Sequence, residues 1–283
     1  MLENMNNMLM KAKNGKYAVP QFNINNLEWT RYILETCEEM KSPVILGVSE
    51  GAAKYMGGYY TVVSLVKGLV HDLKITVPVA IHLDHGSSVD SCKSAIDVGF
   101  TSVMIDASKY SLEENINITS EVVEYAHSRN VSVEAEIGHI GGVEDGVSAD
   151  IMYARLEDCM ALVDATSLDV LAPALGSVHG IYKGEPKLDF DRMLEISLKC
   201  DLPLVLHGGS GIPDAQIKRA VECGVTKLNI NTDLQLVWTY DVRKFLNENA
   251  DVYDPRKVIK SGEGAIKDKI REKIVLLGSQ NQA

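Results

Sequence analysis

Short runs that are apolar at nearly every position recur along the chain, each followed by a longer stretch whose apolar residues return every three or four positions. A continuously apolar run suits a strand covered on both faces, and the longer stretches suit amphipathic helices, so the alternation predicts a parallel sheet. The eight runs are Ala18–Asn23, Pro43–Ser49, Pro78–His85, Ser102–Ser108, Ser132–Gly138, Asp169–Ser177, Leu202–Gly209 and Lys227–Asp233. Among the helices between them, Leu27 to Lys41 sets Leu27, Leu34, Cys37 and Met40 near one face, with Asn26 placed to cap it. Eight strand-then-helix units with no extra strand at either end match a closed barrel, an α/β fold of the (β/α)8 TIM type; an open doubly wound sheet is the other arrangement the pattern permits. Gly and Pro are spread evenly and no linker divides the chain, so one domain spanning 1–283 is expected. The tail from Tyr240 to Ala283 carries Asp254-Pro255-Arg256 and then a helical pattern over Gly264 to Leu277, a C-terminal helical extension packed outside the barrel.

Composition narrows the partners. The 283 residues carry 28 Lys and Arg against 39 Asp and Glu, a net charge of −11, which repels a nucleic-acid backbone and an anionic membrane surface. No apolar run reaches membrane-spanning length, and Met1 to Lys13 lacks the basic head and apolar run of a secretory leader. The five cysteines are scattered and never form a CxxC pair, as in a reducing compartment, so a cytoplasmic protein is expected.

Barrel enzymes carry their reactive groups at the C-terminal strand ends. Of the seven histidines, His85, His179 and His207 fall at or just past the ends of strands three, six and seven, whereas His71 and His127 fall in helical segments. Three neutral imidazoles facing one mouth suit a catalytic zinc, because they leave coordination positions open. His82 shares strand parity with Asp84 and points into the barrel, while His139 is either a further ligand or a solvated loop residue. Asp84, Asp106, Glu134, Glu136 and Glu144 collect at the same face. Buried carboxylates need a partner, so Asp106 and Glu136 read as ligands or as orienters of the histidines, and Glu134 as structural. Asp84 is the best placed acid or base, the competing reading being a carboxylate that holds His82.

The loop His207-Gly208-Gly209-Ser210-Gly211 and the strand end Asn229-Ile230-Asn231-Thr232-Asp233 occupy the usual phosphate position of such barrels, and Gly180 and Lys183 add a donor and a charge. No lysine is expected on an inward strand face, which disfavours Schiff-base chemistry. Metal, phosphate site and carboxylates together suit an enediolate on a phosphorylated sugar, through aldol cleavage, enolisation or epimerisation.

Six segments in order, Ile81-His82-Leu83-Asp84-His85-Gly86, Ser102 to Ser108, Glu134-Ala135-Glu136-Ile137-Gly138, Gly176-Ser177-Val178-His179-Gly180, His207 to Gly211 and Asn229 to Asp233, resemble the class II ketose-bisphosphate aldolases, and within them the fructose-bisphosphate aldolases, nearly end to end. The resemblance implies zinc on His85, His179 and His207, with Asp106 and Glu136 able to take a displaced or second metal. It implies Asp84 as base on the C4 hydroxyl, and Glu144, in the loop Gly141 to Gly146, moving the proton at the enediolate carbon. Asn229 would orient the substrate; Gly180, Gly208, Gly209, Ser210 and Thr232 would hold the phosphate of the dihydroxyacetone half, with Na+ or K+ nearby. Ser49, and Arg256 reaching from a partner subunit, would hold the other phosphate in a homodimer or homotetramer. Asn23, Lys183 and Asn231 complete the substrate-binding set. Asn231 stands where part of the family has an acidic residue, so tagatose 1,6-bisphosphate is the rival substrate; Val178 and Gly208-Gly209 look closer to the fructose branch. A zinc hydrolase would carry His-x-His in its first strand, where this chain has Gln21-Phe22-Asn23. A metal-binding barrel without aldolase turnover is the remaining alternative.

Overall fold

The computed structural model describes residues 1–283 apart from Asp145, Gly146, Asp150, Ile151 and Lys183, with Val143, Glu144 and Val147–Ala149 described by their backbone. The strands are β1 (Val19–Asn23), β2 (Val44–Ser49), β3 (Val79–Gly86), β4 (Ser102–Ile105), β5 (Ser132–Ile137), β6 (Gly141–Glu144), β7 (Val147–Ala149), β8 (Val170–Pro173), β9 (Val178–His179), β10 (Leu204–Leu206) and β11 (Val225–Ile230). Eight of them close a parallel barrel in the order β1, β2, β3, β4, β5, β8, β10, β11, with helices between successive strands, so the architecture is a (β/α)8 barrel rather than an open sheet. β7, β6 and β9 form a separate three-stranded sheet at the mouth, which the sequence pattern does not predict.

Alternation along each strand sorts the interior. Phe22, Leu46, Ile81, Val103 and Leu228 belong to the shell packed under the helices, whereas Val19, Ile45, Ala80, Val170, Ala172 and Val205 form a second cluster on the barrel axis. The helix Asn6–Gly15 closes that end, inserting Met8, Leu9 and Ala12 below the strands. Met8 and Leu9 each contribute about 1.5–3 kcal/mol by this burial. Going up the axis, the inward residues turn polar: Gln21, His82, Glu134 and Lys227 are fully buried.

In the helix Leu27–Met40, Asn26 accepts a hydrogen bond from Trp29 N as expected, but its buried face is Thr30, Ile33, Leu34 and Cys37. Leu27 is exposed, the first turn burying Trp29 and Thr30 instead. β4 and β8 stop short of Ser108 and Ser177, and the last barrel strand begins at Val225 and ends at Ile230 rather than running Lys227–Asp233. Beyond those ends the chain leaves the sheet to present polar residues to the mouth. Outside the barrel, the helix Glu263–Leu276 buries Ile266, Ile270 and Ile274, and its Lys273 reaches Asp233 at 2.7 Å, tying the extension to the first turn of the helix Thr232–Glu248. The five cysteines are unpaired thiols, and no described helix is long and apolar enough to cross a membrane.

Candidate active site

Alternation places His82 and Asp84 inward and should turn His85 toward the helices. It does not, because the pairing of β3 with β4 slips between Leu83 and Gly86, and His85 takes a left-handed backbone with φ of 52°. A bulge of this kind inserts one residue and re-aims the next side chain, so Asp84 and His85 both face the mouth. The next residue must be glycine: a Cβ on Gly86 would lie 2.6 Å from the Met104 carbonyl oxygen.

The rings of His85, His179 and His207 meet there, with centroids 4.7 to 5.7 Å apart. One nitrogen from each lies within 4.8 Å of the others. The outer nitrogens are committed. His85 Nδ1 lies 3.1 Å from Asp106 Oδ2, and His207 Nε2 lies 2.8 Å from Glu134 Oε1. Ionised carboxylates only accept, so both outer nitrogens carry hydrogen. The inner pair, His85 Nε2 and His207 Nδ1, then face each other at 3.0 Å as two acceptors, His207 Nδ1 also taking a hydrogen from Asn229 Nδ2 at 3.1 Å, and the contact is relieved by a proton or metal ion between them. A proton answers this need: burial depresses His85, but the Asp106 hydrogen bond and the charges of Asp84 and Glu136 outweigh it and push its pKa up to about 10. Burial and the charge of His85 hold His179 well below the usual imidazole range, and His207 is lowered first by burial. A divalent metal meets the same requirement with all three imidazoles neutral, so the donor set fits one. A second group, His85, Asp106 and Glu136, also brings three donor atoms within 4.8 Å. Burial, reinforced by the charge of Asp106, raises Glu136 to about 8, and its Oε2 has no hydrogen-bond partner.

Asp84 is buried beside this cluster. Asn23 Nδ2 donates to its Oδ2 at 3.0 Å and Asn229 Nδ2 to its Oδ1 at 3.3 Å. Burial would raise its pKa, but His85, His207 and Lys227 hold the carboxyl well below the usual range, so it is a carboxylate. It does not hold His82, whose Nδ1 pairs with Ser102 Oγ at 2.8 Å and which burial pushes down to about 3.

Two cavities flank the histidines, with His179 lining both. One, of about 390 Å³, is lined by Asn23, Asp84, Gly180, Gly208, Ser210, Asn229, Asn231 and Thr232, with Gln235 among them, a residue the sequence reading did not single out. The helix Thr232–Glu248 opens on it, and Ser210 Oγ accepts from Asn231 N and Asp233 N. Such a helix start favours an anion. Gly208 permits the loop packing: a Cβ there, at φ of 65°, would lie 2.2 Å from the Val178 oxygen. Tyr182 fastens the same contact, its hydroxyl accepting from Val178 N and donating to the Gly208 carbonyl. The other cavity, of about 430 Å³, includes Ser49, Glu50, Asp106, Ser108, Glu136 and His139. Here His139 is not a member of either donor group; its Nδ1 meets Ser108 Oγ, which in turn bonds Asp106.

A family model described as class-II fructose-bisphosphate aldolase matches residues 3–282. The chain is 60% identical over 283 residues to a fructose-bisphosphate aldolase of Geobacillus stearothermophilus, covering 100% of this chain and 99% of that one. It belongs to the class II fructose-bisphosphate aldolase family. A Staphylococcus epidermidis fructose-bisphosphate aldolase is 58% identical over the same 283 residues, again covering 100% and 99% of the two chains. Among solved structures, the YdjI aldolase of Escherichia coli K12 superposes with a TM-score of 0.88 at 34% identity, covering all of both chains. The Campylobacter jejuni fructose-bisphosphate aldolase gives 0.86 at 25% identity, covering 100% of this chain and 97% of that one. Class II aldolases are metal-dependent and act on sugar phosphates, in keeping with the donor groups here.

Several aldolase-like features sit differently from the expectations. Lys227 is on an inward strand face after all, fully buried, with Nζ 2.8 Å from Glu134 Oε2 and 2.9 Å from Asn229 Oδ1. Starting the last strand at Lys227 hid this; parity with Asn229 is the signal that finds it. Ser49 lines a cavity while its hydroxyl also caps the helix Glu50–Tyr55. Gly209 lines neither cavity; it packs against Leu228 and donates to the Asn229 carbonyl. Arg256 is 89% exposed, paired with Asp254, and lines neither cavity of its own chain. Lys183 and the side chain of Glu144 lie outside the described residues, although the Glu144 backbone ends β6.

Proposed function

We propose that this protein is a zinc-dependent fructose-bisphosphate aldolase that reversibly cleaves fructose 1,6-bisphosphate to dihydroxyacetone phosphate and glyceraldehyde 3-phosphate. The observation that carries this is the pair of imidazole lone pairs facing at 3.0 Å, next to a carboxylate held ionised by two asparagines. His85, His179 and His207 would hold the metal, with Asp106 and Glu136 as an alternative or second position. Zinc supplies a Lewis acid there, worth several kcal/mol at the C2 carbonyl.

Asp84 takes the proton from the C4 hydroxyl as the C3–C4 bond breaks, releasing the aldehyde half and leaving the electron pair on C3 of the ketose half. Asn23 and Asn229 hold the Asp84 oxygens in place for that transfer. Glu144, carried on the β6–β7 hairpin, returns a proton to C3. The phosphate of the dihydroxyacetone half sits in the cradle of Gly180, Gly208, Ser210 and Thr232, with Gly209 bracing the loop from behind, Lys183 and a Na+ or K+ ion beside it and Asn231 near the sugar. Ser49 takes the second phosphate with Arg256 of another copy, the exposed Arg256 exchanging its Asp254 partner for that phosphate. That arrangement requires a homodimer or homotetramer. Residues 1–283 form one catalytic domain working in the cytoplasm.

Asn231 supports a second reading, tagatose 1,6-bisphosphate, which differs from the fructose substrate only in configuration at C4. Triose phosphate release from both bisphosphates by zinc-loaded protein, with a chelated control, decides between them. Chelator-sensitive preference for fructose is expected; a tagatose preference moves the substrate, and cleavage of neither overturns the reading.

A further inference from the structure

Below the site, one layer down the barrel axis, lies a cation that the reaction does not use. Lys227 is fully buried, and its ammonium touches Glu134 at 2.8 Å and Asn229 Oδ1 at 2.9 Å. An ammonium only donates, so the end of the Asn229 amide facing it must be oxygen. The other end, Nδ2, is thereby turned toward Asp84 Oδ1 at 3.3 Å and His207 Nδ1 at 3.1 Å, both of which accept. Reversal would set amide hydrogens against the ammonium and amide oxygen against the Asp84 carboxylate, two repulsive contacts in a buried layer. Glu134 shares the anchor, since its second oxygen accepts from His207 Nε2 at 2.8 Å.

We infer that Lys227 is a positioning residue that fixes which end of the Asn229 amide faces the reacting sugar, making that amide a donor. The inference rests on the proposed reading of Asn229 as substrate-facing and His207 as a metal ligand. Neither role requires Lys227 to touch substrate, and its engaged, buried amine is not offered as a nucleophile.

Removing the ammonium alone strands the Glu134 charge, so the test uses the neutral pair Lys227→Met with Glu134→Gln. The introduced carboxamide still accepts from His207, so the zinc dissociation constant, read by competition with a chromophoric chelator, should stay within about tenfold of the parent. At saturating zinc kcat should fall about a hundredfold, the usual cost of losing one aimed donor, while KM for the bisphosphate moves less than about threefold. A folded, zinc-saturated variant with kcat within about twofold of the parent overturns the inference. So does a fall in kcat matched by an equal rise in KM.

A measurement on the parent protein tests, without turnover, the amide orientation on which the inference stands. With asparagines labelled with 15N, and the Asn229 amide pair assigned by its loss in Asn229→Ala, zinc is added. One Asn229 proton now faces His207 Nδ1, so the pair should shift as zinc takes that lone pair; an unmoved pair in a zinc-loaded protein overturns the assignment. Failure of the parent to cleave either bisphosphate would count against the proposed function, whereas this amide shift would still report on the Asn229 orientation.

Discussion

The two ends of the barrel are made from the same eight strands and solve opposite problems. At the closed end, Val19, Ile45, Ala80, Val170, Ala172 and Val205 meet Met8 and Leu9 of the first helix with no charge among them. At the open end, Asp84, Glu136 and His207 are almost as completely buried, yet each is ionisable and bound to its neighbours by hydrogen bonds or charge. Burial at one end yields stability directly; at the other it must be offset by pairing, and what it yields is directed chemistry. Substitutions at the two ends should therefore separate activity from stability.

The largest effect is expected at the open end. His207→Ala removes an inner nitrogen and leaves Glu134 without one of its partners, so stoichiometric zinc binding by chelator competition should be lost together with turnover; zinc retained at parental affinity would remove His207 from the ligand set. Next, Asp84→Ala should keep zinc and lower kcat by about 10²–10⁴-fold, measured at saturating metal. Unchanged turnover would take Asp84 out of the proton transfer. At the closed end, Leu9→Ala should cost about 2–5 kcal/mol in denaturant unfolding while kcat/KM at 25 °C stays at the parental value. A loss of activity without loss of stability there would erase the contrast between the ends.

The smallest effect also belongs to the closed end. Glu38 accepts from Thr76 N, Thr76 Oγ1 and Val77 N just before β3, and from Lys41. Burial is the largest single influence and opposes its charge, but these bonds together outweigh it and lower its pKa to about 2 from an ordinary 4.5. A carboxyl depressed on folding stabilises fully above its unfolded pKa and loses that contribution as pH falls through the folded one. Glu38→Gln should therefore melt below the parent at neutral pH, by under about 1 kcal/mol given its solvent screening, with the gap closing between pH 4.5 and 2. A gap that is constant with pH would show packing rather than charge.

The closed end and the shell were legible because strands buried on both faces must be apolar at every position, a signal that survives without tertiary knowledge. The helix Asn6–Gly15 escaped because it precedes the first strand and stands outside the strand-then-helix repeat, and only its packing beneath the strands shows why methionines stand there. At the open end, the histidines and carboxylates stood out as polar residues at apolar strand ends. Their directions did not. Lys227 was hidden by a two-residue error in a strand start, and the β6–β7 hairpin by being short and glycine-rich. The partners of Glu134 come from the residue after β10 and from β11, so no local window contains them.

The slip between Leu83 and Gly86 acts as a change of phase in a two-beat rhythm. Upstream of it, even-numbered residues of the strand look inward; at it, an odd-numbered one joins them. A carboxylate and an imidazole thus sit on adjacent codons yet share one chamber. Deleting a single residue here would restore the beat and turn His85 out among the helices, leaving Asp84 in place without the imidazole that follows it in the chain. Two chemistries that a regular strand would keep on opposite faces are joined by one irregular step, and insertion or deletion, more than substitution, is the change this point of the barrel is least able to absorb.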